Sequence, residues 1–329
     1  NVGIGTTSPS AKLDVDGTVQ ATSIAVVNGV KIGTGATTCD GSTEGTVRYN
    51  GTSKNIELCN GSSWAAIGSG SGGGGGGSGG CPTNYILVPA MAPYTTEDFC
   101  VAKYEMKNVG GVAVSRPDKT PWVSISRDRA VMECRLLGPG YHLISNAQWQ
   151  TIARNIEQVS VNWSSGTVGS GQLNRGHSDN SPASALQASA DDTEACFGTG
   201  ETCSDTVWHD QRRTHVLSNG EVIWDLSGNV TEWVNDDYAD LGVNPAMSTA
   251  WREYNNAAVG ATNRALFGPS NATWTSAQGI GQIYGGSAGG VLRGGSWFDG
   301  TYAGVFYAFL EHGPTYSPTY IGFRCVFVP

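Results

Sequence analysis

Three sets of side chains in this 329-residue sequence could do chemistry: eight cysteines, five histidines, and a run of aromatics near the C-terminal end. Thiolate metal sites present two sulfurs from one short turn, and no C-x-x-C occurs here. The closest pair, Cys196 and Cys203, is separated by a Gly/Thr/Glu turn. Disulfides are therefore expected, in an oxidising compartment, rather than free buried thiols in a cytosolic protein. Location suggests the pairing. Cys39 and Cys59 bracket a small module, and Cys196 with Cys203 would close a tight loop. Cys81 with Cys100 would tie the start of the C-terminal region, and Cys134 with Cys325 would join an early helix to the final strand. The histidines (His142, His177, His209, His215, His312) are scattered. His209 and His215 share a polar stretch and are expected at the surface or satisfied in the core, not as ligands. Gly76-Gly77-Ser78-Gly79-Gly80 formally matches a nucleophile elbow but lacks the apolar strand that must precede one. With no paired carboxylates, Ser/His arrangement or phosphate loop either, catalysis is not expected.

The aromatic run suggests binding instead. Residues 292–328 carry Phe298, Asp299, Tyr302, Tyr307, Phe309, Glu311, His312, Tyr316 and Tyr320 among small residues such as Gly300, Ala303, Gly304, Gly313 and Pro314. Tyr and Phe offer large, rigid contact area with little rotamer entropy to lose. The competing reading is ordinary β-core. Ala303-Gly304-Val305-Phe306 looks core-like and its neighbours do not.

The elements that must position this run are legible upstream. Tyr85–Pro89 reads as a strand and Asp98–Met106 as a second. Ser126–Leu137 has apolar residues at Ala130, Val131, Cys134 and Leu137, a helical period stopped by Gly138-Pro139-Gly140. Ser145–Arg154 is a second helix with Ser145 or Asn146 as N-cap. Residues 155–220 and 236–290 read as long irregular loops, rich in Asn, Ser and Gly.

Composition sets the class. Charged residues are 14%, below the usual quarter, and glycines number 47, which favours short strands and long turns as in extracellular or viral fibre proteins. A net charge of −9 argues against a nucleic-acid partner. No apolar run approaches the roughly 18 residues that cross a membrane. The chain begins at Asn1, so a processed product or a piece of something longer is expected. Four regions follow: 1–38 with strands at Leu13/Val15 and Val19/Ala21; a hairpin module at 39–67 with turns at Asn50-Gly51 and Asn60-Gly61; a Gly/Ser linker at 68–80; and an α+β domain at 81–329. The first is too small and too poor in large apolar residues to bury a core alone, so trimerisation is expected.

Two frame motifs bracket the aromatic run, Arg293-Gly294-Gly295-Ser296-Trp297 and Ile321-Gly322-Phe323-Arg324-Cys325. They resemble the closing strands of the formylglycine-generating-enzyme branch of the C-type lectin fold, as do the Lys103-Tyr104-Glu105 strand and the Trp224–Trp233 segment. The resemblance implies a calcium ion held by Asp225, the carbonyls of Gly228 and Val230, and Glu232. It also locates the two copper-binding cysteines of that enzyme class at Asp299 and Gly304. Neither is a thiolate, so no copper is expected. An iron-binding branch uses histidines from an added helical domain that this chain lacks. The filling between the frames resembles the variable cassette of proteins diversified by retroelements, whose adenine-rich Asn codons readily become Tyr, Phe, Asp and His. Glu311 departs from that pattern. Asn1–Val15 resembles phage tail-fibre stem repeats. Together these imply an extracellular adhesin or virion fibre: a trimeric β-stem carrying a rigid domain that binds a protein or glycan receptor. The alternatives are an oxidoreductase with altered metal ligands and a structural fibre-tip cap.

Overall fold

The computed structural model describes residues 2–4, 7, 13–15, 38–40, 42, 43, 46–50, 55–59, 64–66, 80–203, 207–243, 247, 249–286 and 289–329. They divide into two compact units, Asn1–Ser69 and Gly70–Pro329. In the first, β1 (Val2–Ile4) and β2 (Leu13–Val15) pair in parallel. β3 (Val47–Asn50), β4 (Asn55–Cys59) and β5 (Trp64–Ala66) form an antiparallel meander, one strand more than the expected hairpin. Arg48 and Glu57 face each other across β3 and β4, their side chains 2.8 Å apart, and the guanidinium lies over Trp64. The Cys39–Cys59 bridge staples this small sheet. The strand expected at Val19/Ala21, the 68–79 part of the linker, and Gly51, Asn60 and Gly61 of the turns lie outside the described residues.

In the second unit, β6 (Tyr85–Val88) pairs antiparallel with β7 (Phe99–Ala102). The strand expected over Asp98–Met106 is broken. The chain turns after Ala102 and resumes as β8 (Met106–Val109), which forms a hairpin with β9 (Val112–Ser115). The break buries the Glu105 side chain completely, and the Lys103 amide donates to the Asn84 carbonyl. Helix α1 (Arg127–Arg135) begins where expected, with the Ser126 hydroxyl accepting from the Arg129 amide. After β10 (Tyr141–Leu143) comes α2 (Asn146–Ile156). Its N-cap is Ser145, in a reciprocal capping box with Gln148 that satisfies two end amides at once. Nearly every side chain of α2 is buried, which makes it the core helix.

Next come the hairpin β11 (Thr214–Val216) with β12 (Val222–Trp224), then β13 (Thr231–Asp237), β14 (Trp251–Arg252), α3 (Gly260–Phe267), β15 (Ile283–Tyr284) and β16 (Gly290–Arg293). The stretch expected to be irregular at 236–290 therefore holds a helix and two short strands. α3 carries only Leu266 and Phe267 as large apolar residues, too few to show a period. It is fixed by α2 instead: Asn146 Nδ2 donates to the Leu266 carbonyl and Gln150 Nε2 to that of Gly268. The chain ends with β17 (Ala308–Phe309), β18 (Ile321–Phe323) and β19 (Cys325–Phe327).

A mixed sheet and an antiparallel one result. One sheet runs β14-β15-β17-β16-β13-β18, the other β10-β19-β7-β6. Trp149 and Ile152 of α2 share the main core with Trp163, Val291 and Phe306. All eight cysteines are bridged in the expected pairs, with Cys134–Cys325 tying α1 to β19 and Cys81–Cys100 anchoring the lead-in to β7.

Candidate ligand-binding site

The segment Trp224–Trp233 organises the ground beneath the aromatic run. Asp225, Gly228 and Asn229 all adopt positive φ. At Gly228 a side chain would drive into the backbone of Arg175 and His177, so the turn requires glycine. The Gly228 amide donates to the Gly294 carbonyl and the Trp297 amide to that of Asn229, docking the first frame motif onto this segment.

Both carboxylates expected to bind calcium are engaged by guanidinium groups. Arg213 Nε and Nη2 donate to Asp225 Oδ1 and Oδ2, each at 2.7 Å. Arg324 Nη2 donates to Glu232 Oε1 at 2.7 Å and Nε to Glu232 Oε2 at 3.2 Å, while Nη1 and Nη2 also reach the carbonyls of Ala102 and Trp224. Glu105 accepts from Asn229 Nδ2 at 2.6 Å and from the Val230 amide. Lys107 Nζ lies 3.8 Å from Glu105. Three buried carboxyl side chains thus match three buried bases. Burial pushes Glu105 well above the usual carboxylate range and Lys107 down to about 8. The calcium set of Asp225, Gly228, Val230 and Glu232 does not fit this arrangement, because a cation there would have to displace two bidentate-capable guanidinium groups. Among the described residues no group of three or more His, Cys, Asp or Glu side chains is placed to hold a metal ion.

Above this hub the aromatic run is clamped by its backbone. Trp149 Nε1 donates to the Val305 carbonyl at 2.8 Å, the Tyr254 hydroxyl to that of Phe306 at 2.5 Å, and Arg293 Nε to that of Tyr307 at 2.9 Å. Arg293 is fully buried. Its other donors reach Asn146 Oδ1, Gln150 Oε1 and the Phe267 carbonyl, and burial lowers it to about 10. Ala303, Val305 and Phe306 are buried, as their core-like pattern suggested. Gly304 packs against Ile280 and Gly281 with no space for a side chain.

The remaining residues of the run meet. Phe298, Asp299, Tyr307, Phe309, His312 and Tyr320, with Thr231, Trp251 and Leu292, line one cavity of about 230 Å³. Tyr302 stacks on Trp251 at 4.6 Å, which also contacts Tyr307 and Phe309. Phe309 stacks on Tyr284 and touches His312, which leans on Tyr316. Phe298 meets Tyr320 edge-on, and the Tyr316 and Tyr320 hydroxyls are 2.6 Å apart. Phe298 and Tyr302 are 42% and 39% exposed, whereas Tyr307 is buried. Glu311 is half-buried outside the cavity lining. Asp299 Oδ2 accepts from the Ser296 amide and hydroxyl, both at 2.6 Å. Burial raises the Asp299 carboxyl and those two donors pull it back. Burial also lowers His312.

Trp251, the hub of this ring cluster, was missed by sequence reasoning because it sits in a stretch without strand periodicity. Its only signal was being a lone Trp in a polar loop. His215 is buried with Nε2 3.1 Å from the Asn174 carbonyl, and His209 is partly exposed, neither grouped with other ligands.

No curated protein sequence matches the chain. Solved structures that match include the Major Tropism Determinant P3c variant, at 17% identity over 75% of this chain and 53% of that one, TM-score 0.37. Treponema denticola variable protein 1 matches at 14% identity over 71% and 85%, TM-score 0.32. PvdO from Pseudomonas aeruginosa matches at 12% over 87% and 99%, TM-score 0.33. The chain spans about half the length of the tropism-determinant structure. The model of the sulfatase-modifying factor enzyme 1-like domain family matches residues 54–328, so most of the folded chain, frames and hub included, is accounted for: the chain belongs to that family.

Proposed function

We propose that this protein is a display scaffold for ligand binding without catalysis, and that residues 292–328 form its diversified surface, directed at a protein or glycan receptor on another cell or surface. The observation that carries the reading is the division of labour in the cassette. Three consecutive carbonyls, of Val305, Phe306 and Tyr307, are fixed from below, while six of the nine expected binding residues converge on one outward cavity. Side chains there can change without altering what holds the backbone.

The oxidoreductase alternative needs a thiolate pair. All eight cysteines are in bridges, and Asp299 and Gly304 stand at the expected ligand positions. Copper or iron above background in purified protein would revive it. Four disulfides fit a secreted or extracellular setting, and no helix among the described residues is long and apolar enough to cross a membrane. The first 38 residues serve as a trimerising stem, on a cell surface or a virion fibre, adding avidity to weak single contacts. Sedimentation equilibrium on the whole chain checks the stem. The cassette is checked by deep sequencing of its codons across the source population. Substitution confined to those nine positions supports diversification; a uniform cassette sinks it and leaves a dedicated binder or a fibre-tip cap.

A further inference from the structure

We propose that the cavity between Trp251, Phe309, Phe298 and Tyr320 receives one cationic side chain, lysine or arginine, from a partner protein, with the Asp299 carboxylate as its counter-charge. The inference rests on the cassette being the binding surface and adds the chemistry of what it holds.

Size comes first. At about 230 Å³ the cavity is smaller than the roughly 300–1,000 Å³ of small-molecule pockets, and suits one inserted side chain. Its walls are π-systems. Trp251 lies 5.2 Å from Tyr307 and 5.7 Å from Phe309 on one side, and the Phe298–Tyr320 pair closes the other at 4.9 Å. Aromatic faces carry partial negative charge and attract ammonium or guanidinium groups.

The polar atoms narrow the choice further. The Tyr320 hydroxyl shares a hydrogen bond with that of Tyr316. Asp299 Oδ2 is committed twice, to the Ser296 amide and hydroxyl, whereas Oδ1 accepts nothing from the described residues. That oxygen, on a residue lining the cavity, is open to a charge-assisted hydrogen bond from an incoming cation. No lysine or arginine lines the cavity, and burial favours neutral His312. Arg293, beneath the cassette, spends its donors on Tyr307, Asn146, Gln150 and Phe267. An anion would meet an unpaired carboxylate. A sugar would find no Asn or Gln amide among the described lining residues. The chain's charge of −9 also steers basic partners toward it.

The test uses the full chain labelled with 5-fluorotryptophan, the Trp251 resonance being assigned by its loss in Trp251→Phe. Butylammonium and butylguanidinium should shift that resonance saturably, while n-pentanol and methyl glucoside should not. Asp299→Asn should weaken the cations about tenfold or more, and Phe298→Ala, at an exposed wall that the fold does not need, by a few-fold. Pentanol binding as tightly as butylammonium would mean an apolar pocket only, and overturns the proposal. Glucoside binding without cation binding overturns it in favour of a glycan, and so does silence from every probe. Each of these failures leaves the diversified-surface reading standing, since codon variability decides that separately.

Discussion

The hub around Trp224–Trp233 and the cassette at 298–320 lie on the same scaffold and obey opposite rules. In the hub, each polar side chain is answered by one distant in sequence: Asp225 by Arg213, Glu232 by Arg324, Asn229 by Glu105. In the cassette the exposed and half-buried rings answer mainly one another or Trp251 and Tyr284, while Val305, Phe306, Ala308 and Leu310 are the side chains that sit in the main core. Reciprocity makes the hub intolerant of change, because removing one partner strands another in a dry interior. Ring-on-ring contact makes the cassette tolerant, since losing one ring opens space to solvent.

Breaking the hub should have the largest effect. Arg324→Leu leaves Glu232 buried and unpaired and should cost about 3–5 kcal/mol in urea unfolding. A loss under about 1 kcal/mol would mean that the pairing does not govern the hub. Acid should come next. Burial depresses His215 to about 3 from an ordinary value near 6.5, so its contribution is present above about pH 6.5 and is lost as pH falls toward 3. Between pH 7 and about pH 4.5 this site should remove roughly 2–3 kcal/mol, and His215→Gln should flatten that arm of the curve. The cassette supplies the contrasting case. Phe298→Ser or Tyr302→Ser should each shift stability by about 0.5 kcal/mol or less, and the pair should be additive within error. A cooperative collapse on combining them would erase the distinction between the regions. Smallest of all, calcium and chelator should give the same melting temperature, because guanidinium groups already occupy Asp225 and Glu232. Stabilisation by calcium at millimolar concentration would contradict that occupancy.

Local signals made part of this legible in the sequence. The apolar period ending at Gly138-Pro139-Gly140 announced α1, and the cap chemistry of Ser145, which acts within one turn, announced α2. The four bridges followed from where the cysteines fall, and the frame motifs carried the fold. What the sequence does not display depends on partners far along the chain. Asp225 and Glu232 read as metal ligands because a motif shows its own residues and not Arg213 or Arg324. α3 has almost no apolar period and takes its stability from α2, so nothing nearby in sequence marks it. The cavity was half-visible: Phe298, Asp299 and Tyr320 stood out as a group, yet the wall opposite is Trp251, brought in by pairing of β14 with β15.

The order β16-β13-β18 sets one more property of this surface. The strand entering the cassette and the strand leaving it flank the same central strand, so their separation is fixed at two strand spacings, roughly 10 Å. Between β17 and β18, three spacings or roughly 14 Å apart, the path from 310 to 320 has only to return across β16 and β13. Lengthening it changes closure entropy logarithmically, by about 0.6 kcal/mol per doubling. The site is thus open to variation in loop length as well as in side-chain identity, and a longer loop at this point could reach past the cavity while the mounting beneath it stays unchanged.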